Sequence, residues 1–136
     1  MTFQIINPKS LGAPAPKGWN NGLLAPAGGR VLFVAGQDAR DASGNVTATG
    51  IVDQFAQVFD NLLTVVREAG GKPEHIGRMT IYVTDLEAYV TNLKPIGEAY
   101  RKRMGRHYPA MALVEVKALM ESNALIEVEA TAVLPS

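Results

Sequence analysis

The chain has no cysteine among its 136 residues, which excludes disulfides, thiolate metal sites and a cysteine nucleophile together. Histidine is scarce: His75 and His107 are the only two, and two scattered imidazoles do not make a metal site. An excess of one charge is also missing. The 13 Lys and Arg balance the 13 Asp and Glu, so no basic patch invites nucleic acid or an anionic membrane surface. No apolar run approaches the ~20 residues of a membrane-spanning helix. The opening MTFQIINPKS lacks the basic start and apolar core of a secretory signal. The expectation is a cytoplasmic protein with neither nucleic acid nor membrane as partner.

What is present reads as a single domain, residues 1–136, able to bury roughly 65–70% of its unfolded surface. TFQIIN (2–7) has the pattern of a short strand stopped by Pro8, and a Pro/Gly-rich loop follows. LLAPAGGRVLFVAGQ (23–37) predicts a hairpin turning at PAGG. From Ile51 the period changes: Phe55, Val58, Phe59, Leu62 and Val66 mark one face of a helix that stops at Gly70-Gly71. IGRMTIYVT (76–84) alternates as a strand. Thr84-Asp85-Leu86-Glu87 has capping-box spacing for a second helix, which Pro95 must kink or divide and Gly105 closes. Two further strands, 110–117 and 125–134, read as a final hairpin joined through LMESNA. The fold class is therefore α/β in the α+β sense, a mixed sheet with two helices packed on one face.

The near-continuous apolar strand ALIEVEATAVL suggests a central position, yet it carries Glu127 and Glu129 two residues apart and so on one face. Central strands rarely carry two carboxylates. Either one is a general acid/base or water-positioning group at a cleft, or the face is solvated or salt-bridged. Glu115, on the neighbouring strand, has the same two readings. His107, in GRHYP, lies at the entry to the last strand pair within reach of a cleft, whereas His75 reads as a solvated loop residue. Trp19, the only tryptophan, either walls a pocket or plugs the edge of the core. The polar loop DARDASGN lacks the spacing and terminal Glu of a calcium loop, so no metal is expected.

Taken in order, APKGWNNG, VLFVAGQ, QFAQVFDNLLTVVREAGG, RMTIYVTDLEAY and YPAMALVEVKAL with ALIEVEATAVL resemble the Rid family, the YjgF-like reactive intermediate deaminases. The resemblance covers nearly the whole chain. It implies a chorismate-mutase-like fold assembled as a homotrimer, with sheets facing inward as a barrel and a small-molecule cleft at each subunit interface. It also implies hydrolysis of imines and enamines to keto acids and ammonia without a cofactor. Glu127 matches the water-positioning glutamate, and Gly36 the glycine whose backbone faces the ligand. Trp19 stands for the aromatic of the N-terminal loop. Ala35, Met111, Leu113 and His107 complete the implied substrate-binding set.

One departure matters most. Active deaminases carry P-x-R-[ST] at the start of this strand, and the arginine grips the substrate carboxylate; here the stretch is Pro109-Ala110-Met111-Ala112. The family's small hydroxyl residue before GQ is likewise Ala35. A charge-assisted hydrogen bond contributes roughly 1.5–3 kcal/mol, so its loss costs one to two decades of transition-state binding for a simple 2-imino acid. Arg103, Arg106 and His107, just before the strand, are candidate replacement cations. Three functions stay open at this point: a divergent imine or enamine hydrolase acting on another substrate, a non-catalytic ligand-binding or regulatory trimer, and a structural trimer with a vestigial cleft. Ribonuclease and translation-inhibitor activities have been ascribed to some family members, but the neutral charge gives them little support here.

Overall fold

The computed structural model describes residues 2–12 and 18–136; part of the Pro/Gly-rich loop, 13–17, lies outside the described residues. Strands β1 (Gln4–Ile6) and β2 (Gly22–Leu24) form a two-stranded antiparallel ribbon. The main sheet holds four strands in the order β3 (Arg30–Gln37), β6 (Ile126–Leu134), β4 (Ile76–Val83) and β5 (Ala110–Glu115). β6 runs antiparallel to both neighbours, and β4 pairs parallel with β5. The predicted central strand is central, and the sheet is mixed.

Helix α1 (Ile51–Glu68) buries Phe55, Val58, Phe59, Leu62, Leu63 and Val66, the 3.6-residue stripe legible in sequence. Gly70, at φ 85, turns the chain out of the helix, and the N–H of Gly71 donates to the Val66 carbonyl. α1 packs on β3 and β6, and its Phe55 and Phe59 rings stack at 4.3 Å between centroids. The alternation of β6 divides the sheet. Ile126, Val128, Ala130, Ala132 and Leu134 are buried beneath the helices, while Glu127, Glu129 and Thr131 point to the uncovered face. Gln54 and Asp38 are the buried polar residues among those described, and Gln54 is the deeper of the two. Its amide donates to the Ala48 and Asn123 carbonyls and its oxygen accepts from the Leu125 N–H, tying α1 to the chain entering β6.

Three expectations need correction. The predicted hairpin 23–37 is not a pair: β2 bonds to β1 and β3 to β6, so PAGG joins strands of different sheets. The last two strands are not a hairpin either, because β5 takes the parallel edge beside β4 and leaves β6 between β3 and β4. The helix cap is Asp85 rather than Thr84. Thr84 lies just past β4, its N–H donating to the Leu125 carbonyl, and Asp85 Oδ1 accepts from the Ala88 N–H at 3.0 Å. The expected effect of Pro95 is a division: α2 (Leu86–Thr91) ends at Asn92 and α3 (Leu93–Met104) begins, with proline in its first turn where no helical donor is lost. Three helices therefore stand where two were expected.

Candidate functional site

The open sheet face gathers the carboxylates. Between Val34 and Gln37 the β3–β6 register shifts, so Ala35 and Gly36 bulge opposite a single residue of β6. The bulge brings Gly36 under Glu127 so closely that a Cβ at Gly36 would lie 2.7 Å from Oε2. Only glycine leaves that space. Among the described residues no group hydrogen-bonds the Glu127 carboxylate, and none of its atoms is both buried and unsatisfied. Its carboxylate therefore faces water. Glu127 stands across from Tyr82 in the β4–β6 register, while the Tyr82 hydroxyl donates to Glu129 in a short hydrogen bond. That bond, then burial, raises the Tyr82 hydroxyl above its ordinary pKa. Arg40 is held charged beyond the usual arginine range, chiefly by its hydrogen bond to Asp38, with Glu127 adding a small favourable contribution. Ala35 is exposed, and its carbonyl accepts from Gln37 Nε2 at 3.0 Å.

Met111 is elsewhere. Its register partner on β4 is the buried Met79, and it packs against the helix-side core. It lines a cavity of about 390 Å³ together with Ile81, Tyr89, Ile96, Tyr100 and Tyr108. Arg101 and Gly97 of α3 and Gly18 of the N-terminal loop also line this cavity. Met111 and Glu127 thus lie on opposite faces of one sheet. Leu113 aligns with Ile81 and so shares the face of Met111, at the exposed edge. The loop beside the cavity is pinned: the Asn20 N–H donates to the Pro109 carbonyl, Asn20 Nδ2 to the Tyr108 carbonyl, and Asn7 Nδ2 to Asn20 Oδ1. Trp19 sits within that pinned segment, 37% exposed.

The remaining candidates are engaged away from both faces. His107 Nε2 lies 2.6 Å from the Ile76 carbonyl and its ring stacks near Phe3, so it does not reach Met111's cavity. Arg103 pairs with Asp60 at 2.8 Å, and Arg106 lines a separate hollow with Glu74 and His107. None of the three lines Met111's cavity. The cation that does line it, the exposed Arg101 of α3, was not singled out from the sequence, where nothing distinguishes it from the other basic residues of the last turn. Glu115 has a structural task, Oε1 accepting from the Leu86 N–H at the start of α2. His75 Nδ1 accepts from the Lys72 N–H within its own turn. Among the described residues no group of three His, Asp or Glu is disposed to hold a metal, and no helix is long and apolar enough to cross a membrane.

Comparison with known proteins agrees with this architecture. A family model described as Endoribonuclease L-PSP matches residues 13–134. A RutC family protein of Aquifex aeolicus is 35% identical over 130 residues, covering 96% of this chain and 98% of the relative. The human 2-iminobutanoate/2-iminopropanoate deaminase is 26% identical over 105 residues, covering 76% of this chain and 73% of that one. The crystal structure of YyfB from Yersinia pestis, a protein of unknown function of the conserved Rid family, superposes with a TM-score of 0.86 at 32% identity, covering 98% of this chain and 100% of that one. With the bulge at Gly36, the glutamate over it and the mixed sheet all in place, the chain belongs to the Rid, or YjgF-like, family.

Proposed function

We propose that this protein is a cofactor-free hydrolase of C=N bonds, an imine or enamine deaminase, working in clefts between the subunits of a homotrimer. The observation that carries the proposal is Glu127: a carboxylate without a hydrogen bond among the described residues, seated against Gly36 on an open sheet face. Such a group can take a proton from water as the oxygen adds to the imine carbon. Returning that proton to nitrogen lets the carbinolamine collapse to a carbonyl compound and ammonia, so the atoms balance as imine plus water. The Gly36 N–H would hold a polar group of the substrate, with Trp19, Ala35, Leu113 and Met111 forming cleft walls.

Two features support an interface site. Glu127 and Met111 occupy opposite faces of one sheet, so a cleft using both draws them from different subunits. The open face also presents Phe33 at 81% and Val31 at 55% exposure, apolar surface that association would bury. Methionine offers an apolar, adaptable wall where a carboxylate grip is usual, which favours substrates other than simple 2-imino acids. The same substitution favours a second reading, a ligand-binding trimer without turnover.

Ammonia release from imines made in situ by an amino-acid oxidase separates the readings. Small, aromatic and basic amino acids would be compared with native protein, Glu127→Gln and Met111→Arg. Acceleration by the native protein that disappears in Glu127→Gln is the expected result. Silence from the native protein with a gain in Met111→Arg would assign the cleft to binding. Silence from all three would sink imine hydrolysis.

A further inference from the structure

We propose that Glu129 is a positioning residue: by holding the Tyr82 hydroxyl it keeps that hydroxyl off Glu127, whose carboxylate stays free to act on water. The inference rests on the reading of Glu127 as the base of the hydrolysis. Tyr82 of β4 stands directly across from Glu127, and Glu129 is its diagonal neighbour on the same face of β6. Directly opposed side chains lie about 5 Å apart at Cβ and diagonal ones about 7–8 Å, still within reach of an aromatic side chain. Both carboxylates act electrostatically on the Tyr82 hydroxyl, yet the hydroxyl donates to the diagonal Glu129. A phenol has one proton to donate, so the bond to Glu129 is withheld from Glu127.

The two carboxylates of β6 turn to opposite neighbours. Glu127 leans toward β3, where a Cβ at Gly36 would lie 2.7 Å from Oε2, 2.9 Å from Cδ and 3.2 Å from Cγ. Glu129 leans toward β4 and takes the hydroxyl there. The choice of acceptor matters for the chemistry. A hydrogen bond from a hydroxyl to a carboxylate is roughly twice as strong as one between neutral groups, and it favours the ionised form of the acceptor. A Glu127 holding the tyrosine proton would therefore be a weaker base, and one of its lone pairs would be closed to water. Among the residues lining the hollow beside Tyr82, Glu129 is the one carboxylate; Arg78, Thr80 and Thr131 supply the other polar side chains. Without Glu129, the remaining charged acceptor opposite the hydroxyl is Glu127. The two same-face carboxylates of this central strand thus divide the work, one facing water and one occupying the tyrosine.

A double-mutant cycle on the full chain tests this, with a crystal structure beside it. In crystals of Glu129→Ala the Tyr82 hydroxyl should have turned to within hydrogen-bond distance of Glu127. In the oxidase-coupled ammonia assay the same variant should lose about tenfold in kcat, as a capped base would. Tyr82→Phe alone should stay close to the native rate. Glu129→Ala combined with Tyr82→Phe removes the competing donor together with its keeper, and should recover most of the lost rate. Glu129→Gln keeps a carbonyl acceptor for the hydroxyl and should also run near the native rate. Urea unfolding of each variant checks that the fold is retained. A double variant no faster than Glu129→Ala would overturn the proposal, because a merely structural Glu129 cannot be rescued by deleting a hydroxyl. So would an unchanged kcat in a folded Glu129→Ala, or a Tyr82 hydroxyl turned away from Glu127 in its crystal structure. A native protein without turnover would count against hydrolysis alone, since the crystal structure still decides where the tyrosine goes.

Discussion

At the scale of single residues, the contact between Gly36 and Glu127 concentrates the chemistry. A Cβ at Gly36 would press on the carboxylate at 2.7 Å, and the side chain's free end must yield rather than the backbone. Gly36→Ala should therefore leave stability nearly unchanged while lowering the rate of imine hydrolysis about tenfold, equivalent to about 1.4 kcal/mol in the barrier. Steady-state rates beside urea melts would check both halves. Gln54 gives the opposite pattern. Gln54→Leu keeps the volume but leaves the Ala48 and Asn123 carbonyls and the Leu125 N–H without partners, and should cost about 1–3 kcal/mol in urea unfolding. Glu127 was legible because a central strand seldom carries same-face carboxylates. Gln54 was not: on the α1 stripe it looks like any polar interruption, and two of its three partners, Asn123 and Leu125, lie far off in the chain.

At the scale of elements, periodicity worked where one face is buried. α1, β4 and β6 alternate as the sequence implies because the helices cover one sheet face and leave the other open. Strand partners were less legible. PAGG has the chemistry of a hairpin turn, and Gly28 takes φ 81 there, yet turn chemistry fixes only the reversal. Which edges then pair depends on β1 and β6, which the local sequence does not encode. Met111 shows the same limit: its face follows from the parallel register with Met79, a pairing across the α2–α3 crossover. The start of α2 offers a test. Asp85 caps the Ala88 N–H and Glu115 takes the Leu86 N–H, so two free donors of a six-residue helix are satisfied by side chains. Asp85→Ala should destabilise the fold by about 1 kcal/mol, read as a shift in the denaturant midpoint with an unchanged slope.

At the scale of the whole molecule, two predictions follow from burial and from its absence. Burial pushes the Tyr89 hydroxyl up to about 12 and raises that of Tyr100 as well. Unfolded tyrosine ionises near 10, so the folded chain keeps protons that the unfolded chain releases. The stabilisation is complete below about pH 10 and is lost as pH rises toward about 12. Urea midpoints should hold steady up to that threshold and fall beyond it, with tyrosinate absorbance appearing at the unfolding transition. The uncovered sheet face predicts association. Phe33→Lys places a charge at its most exposed apolar residue and should dissociate the assembly into folded monomers, visible by native mass spectrometry with helical content preserved. The family and the sheet were readable from the chain alone; the separation of Met111 from Glu127 required the folded register.

That separation makes a mixing experiment the most direct test of an interface site. Glu127→Gln removes one half of the cleft, and Met111→Asp places a charge in the apolar half. Each variant alone should be inactive in the oxidase-coupled ammonia assay. Coexpressed with separable tags and purified as mixed trimers, they should regain activity, because one cleft in each trimer unites an intact Glu127 with an intact Met111 from the neighbouring chain. Mixed trimers no more active than their parents, beside an active native protein, would contradict a cleft shared between subunits.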